Sequence, residues 1–86
     1  MDKRIKHFID TFQEGGPFDE KKKFILVGKF KLSDHTYTIF HQNNNTTIEH
    51  HDGLYTYHYF IDTLYSLEEL KQSFKILNQK GVTNET

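Results

Sequence analysis

Cysteine is missing from the 86-residue chain, which removes disulfide scaffolds, thiolate metal sites and thiol nucleophiles together. Tryptophan and alanine are missing too, and proline, methionine and arginine occur once each. No stretch approaches the ~18 apolar residues that a membrane-spanning helix requires. The N-terminal run Met-Asp-Lys-Arg-Ile-Lys-His is charged every few residues, and no apolar segment of signal-peptide length follows it. The expectation is therefore a cytoplasmic domain without membrane contact. GxGxxG, P-loop, HExxH, nucleophile-elbow and CxxC motifs are all absent. The carboxylates are too scattered to assign a glycosidase-type pair. These absences argue against an enzyme and against a bound cofactor.

What the chain does have is aromatic residues and charges of both signs in near balance. Eight Phe and five Tyr can build a core, because each buried ring removes about 150–250 Å² from water. A chain this short supports one core, so residues 1–86 read as one α+β domain with a frayed tail at 82–86. The formal net charge is −1. Basic residues outnumber acidic ones eight to five through Lys31 and fall to three against seven beyond it, a split that reads as ordinary solvated faces. The lack of Ala, the single Arg and the abundance of Lys, Asn, Ile, Phe and Tyr resemble the protein output of an AT-rich genome, such as a low-GC bacterium or its phages and plasmids.

Ile5, Phe8, Ile9 and Phe12 recur at helical spacing, Asp2 can cap the helix start, and Gly15-Gly16-Pro17 suits its end. A first helix over 2–14 follows, then a polar connector from Phe18 to Lys23. From Phe24 to Leu32 the pattern alternates with period two, placing Phe24, Leu26, Phe30 and Leu32 on one side and Ile25, Val27, Lys29 and Lys31 on the other. Turns at Asp34-His35, Asn44-Asn45 and Asp52-Gly53 give three hairpins. They set Phe30 opposite Ile39, Ile48 opposite His41 and Tyr57, and Phe40 opposite Lys29 and Glu49. The fourth strand covers Leu54 to Ile61, where helical spacing of Leu54, Tyr57, Ile61 and Leu64 competes. Ser66 and Glu69 form a capping box, and Leu67, Leu70, Phe74 and Leu77 make the stripe of a second helix ending at Gly81. The predicted architecture is a helix, a four-stranded antiparallel meander and a helix, with a three-stranded sheet as the variant. Both helices lie on the face bearing Phe24, Leu26, Phe30, Ile39 and Ile48.

Six histidines are the one unusual count. His41 and His50 fall on the core-side face, His51 and His58 on the other near Glu49, so they do not converge as metal ligands. They read as surface or hydrogen-bonded half-buried histidines, with a pH-sensitive contact as the lesser reading. The second face carries more large apolar groups than a solvated face usually does. Phe40 and Phe60 with Leu54, Ile25 and Val27, bordered by Lys29, Lys31, His51 and His58, form a patch of the kind that marks a binding surface. The expected function is a small non-enzymatic protein-binding module, an accessory or inhibitor of the sort phages and mobile elements encode. It would act by occupying a partner's surface or by self-association. The alternative is a single-stranded nucleic-acid-binding domain that uses the same Lys and aromatic groups.

Overall fold

The structure, a computed structural model, describes residues 2–15 and 24–84. Its elements are α1 (Lys3–Thr11), β1 (Gln13–Glu14), β2 (Ile25–Leu32), β3 (His35–Gln42), β4 (Asn45–His51), β5 (Thr56–Ile61) and α2 (Leu67–Asn84). The strands form one antiparallel sheet in the order β1-β5-β4-β3-β2. The expected helix, sheet and helix are present, and the segment 56–61 is strand rather than helix. The sheet has five strands, not four, because α1 stops short. Phe12 turns extended at the helix end, and Gln13 and Glu14 then pair with Phe60 and Tyr59. Backbone pairing along an otherwise open edge replaces the final helical turn expected up to residue 14. The expected stop at Gly16-Pro17 and the connector 18–23 lie outside the described residues. At the other end α2 passes through Gly81 and reaches Asn84, so the stop expected at that glycine is not observed.

The hairpins form where expected but with their turns one residue earlier. Ser33 and Asn43, each the first residue of a two-residue turn, take φ values of 56° and 54°. Each pairing therefore shifts by two, giving Phe30↔Tyr37, Ile39↔Ile48 and Phe40↔Thr47. Core packing explains the choice: the Phe30 and Tyr37 rings stack at 4.9 Å, and Ile39 meets Ile48 directly. A shift of two keeps side-chain parity, so the faces survive although the partners change. The third turn is wider than the expected two-residue Asp-Gly turn. Asp52 Oδ1 accepts the N–H groups of Leu54 and Tyr55 at 2.9 and 2.7 Å, and this Asx-type loop takes Leu54 and Tyr55 out of the strand.

One irregularity does change faces. Leu26 pairs with Phe40 and Gly28 with Ile39, leaving Val27 as a bulge. Phe24 and Leu26, expected in the core, lie instead on the helix-free side, where the Phe24 ring meets Phe40 at 5.8 Å. Val27 and Ile25, expected on the helix-free side, leave it: Val27 packs against the core, and Ile25 pairs with His41 on the helix-covered side. Gly28 lets the first turn of α2 approach β2, since a Cβ there would stand 3.1 Å from Leu67 Cδ2.

Both helices cover the same face. The core comprises Phe8 of α1, Leu70 and Phe74 of α2, and Phe30, Tyr37, Ile39, Ile48, Ile61 and Tyr65. Phe74 is its hub, with ring contacts to Phe8, Phe30, Tyr37 and Tyr59. The capping box forms as expected: Ser66 N–H donates to Glu69 Oε1 at 3.0 Å and Glu69 N–H to Ser66 Oγ at 3.2 Å. The Arg4 guanidinium binds the same Glu69 at 2.5 Å and stacks 4.5 Å over Tyr65, while Tyr65 donates its hydroxyl proton to Arg4 O. Through these contacts the two helix starts are joined.

Candidate functional site

Strand register alone decides what the helix-free face displays, since residues directly opposite one another share a side. One cross-strand row reads Leu26, Phe40, Thr47, Phe60 and Gln13. The next reads Lys29, Thr38, Glu49 and His58, and the third Lys31, Thr36, His51 and Thr56. The first row carries large apolar side chains on β2, β3 and β5 with Thr47 between the two phenylalanines, and the other two are polar and of mixed charge. Of the residues singled out in the sequence, Lys29, Lys31, Phe40, His51, His58 and Phe60 are brought together here. Leu54 is not: it lies in the β4–β5 loop, 85% exposed, because the Asp52 loop ends the pairing at His51↔Thr56.

Phe40 and Phe60 flank Thr47 in the row and are half-buried rather than open, while Thr47 is only 3% exposed. Phe40 faces Leu26 and Thr47 instead of the expected Lys29 and Glu49. The open apolar surface sits at the β2 end of the row, where Leu26 is 58% exposed. Two polar atoms on this face, Thr47 Oγ1 and Gln42 Nε2, are buried without a hydrogen-bond partner among the described residues. An unpaired buried polar atom is destabilising by about 1–3 kcal/mol, so this face carries unmet hydrogen-bonding capacity as well as apolar surface. A concavity of about 380 Å³ opens beside the row, lined by Lys29, Thr36, Thr38, Glu49 and His51. At the β5 end, Phe60 and Gln13 share a recess of about 300 Å³ with His7 and Asp62.

Charge on the face is balanced locally. His58 Nε2 lies 3.9 Å from Glu49 Oε2, mid-face between the two lysines' strand and the β1 edge. Asp52, in the loop at the end of the face, has its carboxyl held below the ordinary range by the Tyr55 and Leu54 backbone N–H groups. No cluster of three or more His, Asp or Glu side chains suited to a metal occurs among the described residues. No described helix is long and apolar enough to cross a membrane.

The opposite face holds an arrangement that sequence patterning did not find. His35 Nδ1 lies 2.6 Å from His50 Nε2, and His50 Nδ1 lies 3.0 Å from the Tyr59 hydroxyl. His50 stacks on Tyr37 at 4.3 Å. Burial, and then His35, push the His50 imidazole below its ordinary range, and burial pushes the Tyr59 hydroxyl up to about 12. The signal was parity: His35, Tyr37, His50, Tyr57 and Tyr59 all have core-side positions once the first turn is placed at Ser33-Asp34. With the turn one residue later, His35 is a turn residue and the contact disappears.

Comparison with protein-family models, curated proteins and solved structures returns no match. The class that can be stated is that of the fold: an antiparallel five-stranded sheet with two helices on one face.

Proposed function

We propose that this domain is a small, non-enzymatic protein-binding module that presents the helix-free face of its sheet to a partner protein. The observation that carries this reading is the row Leu26-Phe40-Thr47-Phe60, three large apolar side chains about one threonine, bordered by Lys29, Lys31, Glu49, His51 and His58. An apolar centre with a polar rim of both signs is the anatomy of protein interfaces. The unpaired Thr47 and Gln42 atoms favour an occupant that brings hydrogen-bonding groups along with apolar ones. Recruitment of this kind fits an accessory or inhibitory role, in which occupying a partner's surface is the whole action.

A single-stranded nucleic acid is the competing occupant, and the charges disfavour it. Phosphate recognition rests on net positive surface, whereas Glu49 stands mid-face beside His58 and the chain is net negative. The test is a displayed peptide library selected on the parent domain and counter-selected on a Phe40→Ser, Phe60→Ser double variant, with circular dichroism as the control for folding. The reading expects peptides that bind the parent, lose the folded double variant and retain affinity as salt rises. Peptides that bind both proteins equally would place the binding surface elsewhere. Tight binding of single-stranded DNA or RNA that weakens steeply with salt would select the alternative.

A further inference from the structure

The His35-His50-Tyr59 chain has a property that follows from counting hydrogens. At 2.6 Å the facing nitrogens of His35 and His50 have room for one hydrogen, donated by one ring and accepted by the other. The second nitrogen of His50 is occupied by the Tyr59 hydroxyl. With both rings neutral, Tyr59 can donate to His50 Nδ1 and His50 Nε2–H to His35 Nδ1. Adding one proton reverses the chain: His35, now fully protonated, donates from Nδ1 to His50 Nε2, and His50 Nδ1–H donates to the Tyr59 oxygen. A second proton has nowhere to go except His50 Nε2, directly against the His35 N–H. Two cationic rings would then face one another with no acceptor between them.

We propose that His35, His50 and Tyr59 form a one-proton latch beneath α2, which holds the helix on the sheet with zero or one added proton and releases it when both histidines are charged. The roof of the latch is α2. Phe74 stands 6.4 Å from His50, 4.5 Å from Tyr37 and 5.7 Å from Tyr59, measured between ring centroids. Beneath Phe74 the Tyr37 hydroxyl is buried with no hydrogen-bond partner among the described residues. Both imidazoles are half-buried, and lifting this half of α2 would expose a second charged ring fully to water.

The neighbouring charges do not relieve the pair. From β3 come His35 and Tyr37; from β4 and its loop, His51 and Asp52; from β5, Tyr57 and Tyr59; and from β1, Glu14, which acts on the two tyrosines. Phe74 and Asn78, from α2, do not titrate. Asp52 favours the proton on His50, but burial, His35 and His51 oppose it, and the Asp52 carboxylate already accepts two backbone N–H groups. The net effect lowers His50, so the unfolded or opened state binds more protons than the closed one. Stability is therefore fully present above the ordinary histidine range, about pH 6.5, and is lost as the pH falls below it.

Imidazole NMR titration and amide exchange across Phe74 to Asn78, corrected for intrinsic exchange, test the latch directly. In the parent, His50 should titrate below the ordinary histidine range. The opening constant of the α2 amides should rise toward about tenfold per pH unit below pH ~6.5, the limiting slope for one extra proton bound on opening. His35→Gln supplies an acceptor for a charged His50 and should flatten that slope, whereas the exposed control His7→Gln should leave it unchanged. A parent whose α2 exchange shows no such slope, or a His35→Gln variant with the parent's slope, would overturn the proposal. Should His35→Gln not fold, the parent titration decides alone: a His50 that protonates in the ordinary range refutes the latch.

Discussion

Adjacent threonines on β4 offer a sharp check on the structure, because the same substitution should act in opposite directions at the two sites. Thr46 and Thr47 are 0% and 3% exposed and point to opposite faces. The Thr46 hydroxyl donates to Thr63 O at 2.7 Å and accepts the Tyr65 N–H at 2.9 Å, so it fastens the link between β5 and α2 to the middle of the sheet. Valine has nearly the same shape and no hydroxyl. Thr46→Val leaves a buried N–H and a partly buried carbonyl without partners, each destabilising by about 1–3 kcal/mol. The carbonyl can turn toward water, and the added methyl recovers some burial, so the net loss should be about 2–3 kcal/mol. For a domain of this size that corresponds to about 8–24 °C in melting temperature. At Thr47 the hydroxyl has no partner, and Thr47→Val should be neutral or stabilising by up to about 1 kcal/mol. Urea unfolding of both variants, with Thr46→Ser as the hydroxyl-retaining control, measures the difference. Equal losses at the two sites, or a Thr46→Val variant as stable as Thr46→Ser, would refute the assignment of the two hydroxyls.

The remaining predictions concern the core, the turns and the helix-free face. Phe30→Ala removes a ring that is 8% exposed and stacked on Tyr37. It should cost about 3–5 kcal/mol, enough to leave much of the domain unfolded at 37 °C by circular dichroism. Ser33→Gly relieves a left-handed residue at φ 56° and should raise stability by about 0.5–1 kcal/mol after the entropy loss of glycine, seen as a higher urea midpoint. The Phe40→Ser, Phe60→Ser double variant should remain folded, because both rings are only half-buried, and the same melt that shows it folded validates its use as a counter-selection target.

The elements were legible in the sequence wherever a local signal and a period agreed. Asp2 caps α1 and the Ser66-Glu69 box caps α2 as side-chain chemistry requires. Turn residues located the hairpins, but they left the registers open by two residues, and core pairing settled them. Turn chemistry is degenerate here: Ser33-Asp34 and Asp34-His35 are both acceptable turns, as are neighbouring pairs within three consecutive asparagines. Only Phe30 on Tyr37 and Ile39 on Ile48 distinguish them, and those contacts lie across strands. The bulge at Val27 had one local cue, Gly28, whose role depends on Leu67 some forty positions on. β1 had none, since Gln13 and Glu14 are poor strand formers that pair because they emerge beside β5.

The same dependence explains how the proposed binding row can stand on so small a domain. Phe40, Thr47 and Phe60 share one line only while β3, β4 and β5 hold their register, and no described residue of the helix-free face fixes it. Among the described residues that face has no aromatic pair beyond Phe24 on Phe40, and its polar rows of Lys, Thr, Glu and His would tolerate slippage. The opposite face does the fixing. Ile48 lies between Ile39 and Tyr59, and His50 between Tyr37 and Tyr57, with Phe74 pressing on Tyr37, His50 and Tyr59 from above. A slip of one residue in β4 would carry Ile48 and His50 out of the core and Thr47 and Glu49 into it, which buries a carboxylate under α2 at a cost of several kcal/mol. The helix-covered side thus fixes the helix-free row as one line across four strands, so the proposed partner would lose little free energy to ordering it.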